Sequence, residues 1–333
     1  MSHRQIVIEK YGAANTLAIS TAPAAPLGPN DVSIDVKYSG INFADIQMRL
    51  GFYPGAPKRP FVPGYEVSGI VSAVGDNVTA HSPGDNVIAG TYFGGYTAKI
   101  SVPAFQAFPL PNGTSLAEAA ALPVNFFTSQ IALFEMARIR EGDRILIECA
   151  TGGVGTLAIQ MARHAGASVV GLTTSPNKLD YITSLGAKAY TREAFYADPS
   201  ITGFDFILNA SGGAEIKKQR PRLQMTGRMV CLGLSSGVKD GRRSFLRMAR
   251  AALATPRLSV LKMFDQNTGV FALNALHVLR NPQWVAKLTQ SLKGVDEMNL
   301  KPHIGKIFAA DDVSQAHEFL QTRQALGKVL LKW

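Results

Sequence analysis

Cysteine is nearly missing: the 333 residues hold only Cys149 and Cys231. Two thiols build neither a disulfide framework nor a four-thiolate zinc site. Charged residues are also sparse, at 17%, and no apolar run approaches the ~18–20 residues that span a bilayer. The opening MSHRQIVIEKYG lacks the apolar core of a signal peptide. A soluble, reducing, cytoplasmic setting is therefore expected. No internal repeat or long linker is visible. Glycine (31) and proline (18) recur without a period, which excludes collagen-like and low-complexity chains. What is plentiful is apolar material, 46% of the chain. That is enough for a large core and excludes a disordered chain. The length suggests two domains.

The formal charge of +10 is local. Residues 217–262 hold twelve bases (Lys217, Lys218, Arg220, Arg222, Arg228, Lys239, Arg242, Arg243, Arg247, Arg250, Arg257 and Lys262) against Asp240 alone. That stretch carries +11, and the remainder carries −1. Such a segment fits a solvated face, or a surface for phosphates, anionic lipid or an acidic partner. No nucleic-acid motif accompanies it, so no nucleic-acid partner is expected.

The first ~120 residues read as short strands and dense turns. Alternation marks Val32-Ser33-Ile34-Asp35-Val36, and turn signals include Pro63-Gly64 and Pro83-Gly84-Asp85-Asn86. From about residue 125 strands and helices alternate. Strands are expected at 144–150, 168–172, 204–208 and 228–232, and helices at 156–164 and 177–185. That rhythm implies an α/β chain with a doubly wound parallel sheet. A helix at 312–322 and a strand at 328–331 close the sequence.

Between the first strand and its helix lies Ala150-Thr151-Gly152-Gly153-Val154-Gly155. Glycines here let the backbone approach a pyrophosphate, and the following helix offers unpaired N–H groups and positive dipole. The strand–glycines–helix context makes this a dinucleotide site. An NAD site would place an acid about 20 residues further on, for the ribose 2′-hydroxyl. None stands there. Thr174, Ser175 and Lys178 occupy the window, which suits a 2′-phosphate and favours NADP(H). Lys178 could equally solvate the start of a helix.

Several motifs then fall in order: GINFAD (40–45), GFYP (51–54), PGYEVSGIVSAVG (63–75), GDNV (84–87), ALPVNFFTSQIALFE (121–135), the glycine bend, Asn209 to Gly213 and GKVLL (327–331). Together they resemble the medium-chain dehydrogenase/reductases, in the zinc-independent quinone oxidoreductase (zeta-crystallin-like) branch. Residues 239–309, with KPHIGKIF (301–308), resemble the vesicle amine transport protein subgroup most.

The resemblance implies a GroES-like, β-rich catalytic domain at 1–124, completed by 266–333. Inserted within it is expected a Rossmann NADP(H)-binding domain at 125–265. A homodimer through the last Rossmann strand, read at Leu258–Phe264, is also implied. Zinc relatives carry Cys where Asn42 stands and His where Tyr65 stands, together with a four-cysteine lobe absent here. Asn and Tyr are poor zinc ligands, so no metal is expected. The resemblance places Asn42 beside the nicotinamide ribose, Tyr53 in the substrate cleft and Thr128 on the cofactor. Gly152, Gly153 and Val154 of the glycine bend meet the phosphates; Thr151 departs from the small residues usual before the glycines, and its hydroxyl either bonds a phosphate or caps the helix. Ser175 and Lys178 match the family position for the adenosine phosphate, with Thr174 beside them. Tyr190 is assigned to the adenosine end, and Gly233 and Leu234 to the nicotinamide. Tyr53 either polarises the substrate oxygen or simply packs. Asp45 and Glu66 stand where zinc relatives keep supporting residues, and a structural role is expected.

The expected activity is NADPH-dependent reduction of quinones or other conjugated carbonyls, in which charge spreads over the acceptor oxygen without a metal. Gly233-Leu234-Ser235-Ser236-Gly237 fits a hydrolase elbow, but a basic turn follows and no Asp–His pair has distinctive context. A second reading is a peripheral lipid-binding protein. In 245–253, Phe245, Met248, Ala249 and Ala252 share one helical face, and Arg243, Arg247 and Arg250 another. The anionic-surface segment would be 239–262.

Overall fold

A computed structural model describes residues 2–238 and 241–333. Lys239 and Asp240, part of the basic segment, lie outside the described residues. Two compact units emerge: residues 2–124 with 241–243 and 276–333, and residues 125–238 with 244–275. The last change of unit falls ten residues beyond the expected 265/266, because the strand Gly269–Ala272 pairs into the parallel sheet.

The second unit is a six-stranded parallel sheet. Its strands are β1 (Arg144–Ile147), β2 (Ser168–Thr173), β3 (Lys188–Thr191), β4 (Phe204–Asn209), β5 (Leu223–Cys231) and β6 (Gly269–Ala272). The spatial order is β3-β2-β1-β4-β5-β6. Strand order reverses between β1 and β4, and in open α/β sheets that switch point is where ligands bind. The intervening helices are α1 (Gly153–His164), α2 (Leu179–Ser184), α3 (Arg192–Ala197), α4 (Ala214–Gln219), α5 (Phe245–Ala254) and α6 (Val260–Gln266). The β1 run Ile145-Leu146-Ile147 is fully buried, as expected of a strand covered on both faces.

The expected last strand at Leu258–Phe264 is corrected. Ser259 caps α6 there, its Oγ accepting the Lys262 N–H at 3.4 Å. Val260, Leu261 and Phe264 have helical rather than alternating spacing, and the sheet instead ends at β6.

The first unit is β-rich. The strand Asp31–Ile41 pairs antiparallel with Glu66–Val74, Lys99–Pro103 and Lys328–Lys332. Alternation holds from Ile34 to Lys37, with Ile34 and Val36 buried and Asp35 and Lys37 exposed, but not before it, since Ser33 is buried along with Val32. Ile304–Ala309 joins as a parallel neighbour of the C-terminal strand. The helix Phe43–Arg49 follows directly on the long strand. Among the described residues no helix is long and apolar enough to cross a membrane.

Candidate functional site

In the second unit, β1 stops at Ile147 and the chain bends through Cys149, whose φ of 53° is left-handed. Gly152 donates to the Cys149 carbonyl at 3.0 Å, and its own carbonyl accepts from Thr156 at 2.9 Å, opening α1. No side chain caps this helix, so the N–H groups of its first turn face outward for an anion. Each glycine has a distinct duty. A Cβ on Gly155 would lie 2.3 Å from the Cys149 carbonyl oxygen, so this residue lets α1 close onto the strand end. A Cβ on Gly153 would strike the Asn125 side chain at 2.4 Å. At Gly152 the nearest atom would be 3.5 Å away, so the space beside it is open for a ligand. Thr151 is buried. The helix Pro123–Gln130, which carries the buried Thr128, is held near this bend, since the Ser129 hydroxyl donates to the Val154 carbonyl at 3.2 Å.

The C-terminal strand ends are tied together by a residue that the sequence did not single out. Glu148, its side chain fully buried, accepts the N–H groups of Ala210 (2.9 Å) and Ser211 (3.0 Å) on one oxygen. On the other it accepts from Arg192 Nη2 at 2.7 Å. Arg192, at the start of α3, thus joins the ends of β1 and β4. It also borders a pocket of about 510 Å³ lined by Thr174, Pro176, Thr191, Glu193 and Tyr196. An acid ending an otherwise apolar strand was the available signal.

The loop after β2 brings Thr174, Ser175 and Lys178 together on one turn. Ser175 donates its N–H to Thr173 Oγ1 at 3.2 Å, and Pro176–Lys178 forms a single 3₁₀ turn. Lys178 is half-buried, and that burial lowers its pKa. Tyr190 lies on β3 with its ring 6.5 Å from Phe195 and the Lys188 ammonium 5.2 Å above it. It is packed at the edge of the sheet's apolar cluster. Gly233 and Leu234 follow β5. The Gly233 carbonyl sits where a Cβ on Gly212 would need to be, at 2.3 Å, so these two loops run back to back. The Ser235 hydroxyl donates to the Ala210 carbonyl at 2.9 Å, which gives it a structural task.

In the first unit, Asn42 starts the helix Phe43–Arg49. Its N–H goes to Asp45 Oδ2 at 2.7 Å, and Asp45 Oδ1 takes the Gly64 N–H at 3.1 Å. Burial pushes the Asp45 carboxyl up to about 7 despite these two donors. The Asn42 side chain donates Nδ2 to Glu66 Oε1 at 2.9 Å and accepts from Lys328 Nζ on Oδ1 at 2.6 Å. Lys328 also pairs with Glu66 Oε1, and Glu66 Oε2 takes the Val124 N–H at 2.7 Å. In the sequence Lys328 stands out only as part of GKVLL and of the strand at 328–331. A lysine leading an apolar strand was the sign that it is held inside. Tyr53 is half-buried, its ring 6.1 Å from that of Tyr65. Tyr65 donates to the Met48 sulfur at 3.7 Å, and burial raises its pKa. Among the described residues no group of three or more His, Cys, Asp or Glu is placed to hold a metal.

Two family models match. The alcohol dehydrogenase GroES-like domain covers residues 28–112, and the zinc-binding dehydrogenase model covers 185–331. The second carries its name from its family, and positions 42 and 65 here remain Asn and Tyr. The chain is 29% identical to the mouse synaptic vesicle membrane protein VAT-1 homolog-like, over 98% of this chain and 81% of that one. It is 27% identical to rat quinone oxidoreductase, over 98% and 97%. Escherichia coli quinone oxidoreductase, solved as a complex with NADPH, superposes with a TM-score of 0.85 at 24% identity, covering 99% of this chain and 100% of that one, and so shares the fold. With a GroES-like unit, a parallel Rossmann-type sheet and these relatives, the chain belongs to the medium-chain dehydrogenase/reductase family, in the branch of the quinone oxidoreductases.

Proposed function

We propose that the protein reduces quinones or other conjugated carbonyls with NADPH. The observation that carries this reading is the loop after β2. It sets two hydroxyls and a half-buried lysine, with no acid, at the switch-point side of a sheet whose glycine bend leaves N–H groups unclaimed. NADPH, when bound, supplies the hydride, and a solvent proton completes reduction of the acceptor to a hydroquinone or saturated carbonyl. The N–H groups of Gly153 and Val154 hold the diphosphate against the α1 dipole. Thr151 and Thr128 add hydroxyls, and Gly233 and Leu234 border the nicotinamide. Ser175 and Lys178 take the 2′-phosphate, with Thr174 and Tyr190 at the adenosine end. Asn42 offers a fixed amide donor, and the Tyr53 phenol is the candidate donor to the acceptor oxygen. A stopped-flow screen of NADPH oxidation against ortho- and para-quinones, enones, enals and enoyl thioesters, with and without chelator, tests the activity. Turnover that survives the chelator is expected, and no turnover with any acceptor would contradict it.

A second reading has its own observation. Helix α5 turns its apolar stripe outward: Phe245 is 64% exposed, Leu246 62% and Leu253 83%. The more buried side carries Arg247, Met248, Ala251 and Ala254. Met248 alone of the large apolar residues on this helix packs inward, at Gly237. Helix α6 does the same with Val260, Leu261 and Phe264, each about 80% exposed. Arg250, Arg257 and Lys262 flank these stripes, a pattern that suits an anionic membrane surface. Flotation with phosphatidylserine vesicles should recover the protein at low salt and lose it as salt rises. Arg250→Glu with Lys262→Glu should abolish recovery while leaving NADPH oxidation intact. Empty floated fractions, with a dimer in light scattering, would assign the stripes and the open edge of β6 to a second copy instead.

A further inference from the structure

We propose that Lys328 is a positioning residue for hydride transfer: it locks the Asn42 carboxamide in one orientation, so that Asn42 acts only as a donor toward an oxygen of the cofactor or acceptor. The inference rests on the reductase reading above.

Lys328 begins a strand whose next three residues, Val329, Leu330 and Leu331, are fully buried, and it is itself only 3% exposed. Lysine is among the residue types least often found inside, and burying its ammonium without a partner is costly. Here three groups on neighbouring segments close a ring. Lys328 Nζ reaches Asn42 Oδ1 at 2.6 Å and pairs with Glu66, and Asn42 Nδ2 returns to the same Glu66 oxygen at 2.9 Å. Register sets this up: Val329 lies opposite Ile41 and Leu330 opposite Gly40, one and two residues before Asn42. Gly40 leaves the room, because a Cβ there would lie 2.5 Å from Glu66 Oε1.

The chemistry of the ring admits one amide orientation. An ammonium only donates and a carboxylate only accepts. Flipping Asn42 would set two donors face to face at Lys328 and two acceptors face to face at Glu66. The second oxygen of Glu66 is spent on the Val124 N–H, and the Asn42 backbone N–H on Asp45. With Oδ1 claimed by Lys328 and one Nδ2 hydrogen by Glu66, a single N–H is left to point at a ligand. A donor fixed before the ligand arrives costs no reorganisation when charge develops on oxygen. The ring therefore selects an oxygen acceptor, a ribose hydroxyl or a carbonyl gaining negative charge.

The test compares the wild type, Lys328→Met, Lys328→Arg and the double variant Lys328→Met/Glu66→Gln as full-length proteins with NADPH and one ortho-quinone. Lys328→Met is expected to lower kcat about a hundredfold, the scale of a misplaced reacting group, with the KM for NADPH within about threefold. Lys328→Arg, which keeps charge and donors, should recover at least about tenfold of that loss. The double variant removes the unpaired carboxylate, so its Tm should return toward wild type while kcat stays low. Side-chain ¹⁵N spectra of Asn42 give a readout independent of turnover: the Nδ2 and N–H shifts, set in the wild type by the bonds to Glu66 and Lys328, should move toward those of a solvated amide in both Met variants. A double variant that regains Tm together with wild-type kcat, or Asn42 signals unchanged on loss of Lys328, would overturn the proposal. A wild type that oxidises no NADPH but shows the locked amide would instead sink the reductase reading alone.

Discussion

Lys178→Glu should weaken NADPH binding about a hundredfold and leave NADH within about threefold, the loss of a charge-assisted contact compounded by a reversed charge. Lys178 sits on the turn after β2, and partial burial lowers its pKa by disfavouring the ammonium. A phosphate dianion within reach would offset that penalty, whereas the 2′-hydroxyl of NADH would not. Ser175 shares the turn, and no acid stands at 174–179 to repel the phosphate. The expected signature is a switch in preference between cofactors, read from titrations of both with wild type and variant. Equal loss for NADPH and NADH would remove Lys178 from the 2′-phosphate site. A loss in neither would leave it as a solvated helix start.

Asp45 carries the second large effect. Its carboxyl is fully buried and titrates near 7 in the folded chain against 3.8 as the reference. Between those values the folded state holds a proton that the unfolded chain has released. Stability from this group is therefore fullest at acid pH and falls as pH rises, by up to about 1.4 kcal/mol per unit, levelling off above the folded value. Asp45→Asn removes the titration and keeps one acceptor for the Asn42 and Gly64 N–H groups. Relative to wild type the variant should gain about 3 kcal/mol between about pH 5 and pH 7.5, from urea unfolding at both. Parallel curves for the two proteins would show that Asp45 stays ionised throughout, held by its two backbone donors.

Much of the parallel sheet was legible because its signals are local. Apolar strands, a glycine bend and capped helices announce themselves within a few residues, and β1, α1 and β2 stand within a turn or so of where periodicity puts them. The misreading at Leu258–Phe264 has a plain cause. A short apolar run carries little period, and outward-facing Val260, Leu261 and Phe264 look like a buried strand. For the candidate site, residues of the glycine bend and the Ser175–Lys178 turn could be named from spacing. Glu148 with Arg192, and Lys328 with Glu66, could not. Each pair joins segments far apart in the chain, 44 and 262 residues in turn, and partners at that distance leave no periodic trace. An isolated charge within an apolar strand was the only hint in either case.

On the proposed function, this chain binds reduced NADP and delivers its hydride to a conjugated acceptor. The most direct measurement is a single-turnover experiment with stereospecifically deuterated NADPH and an ortho-quinone, following nicotinamide absorbance in the presence of chelator. A saturable, enzyme-dependent loss of absorbance is expected, slowed by deuterium on one face of the ring only and far weaker with NADH. Nicotinamide absorbance that decays at the rate of a protein-free control, whatever the acceptor, would contradict it.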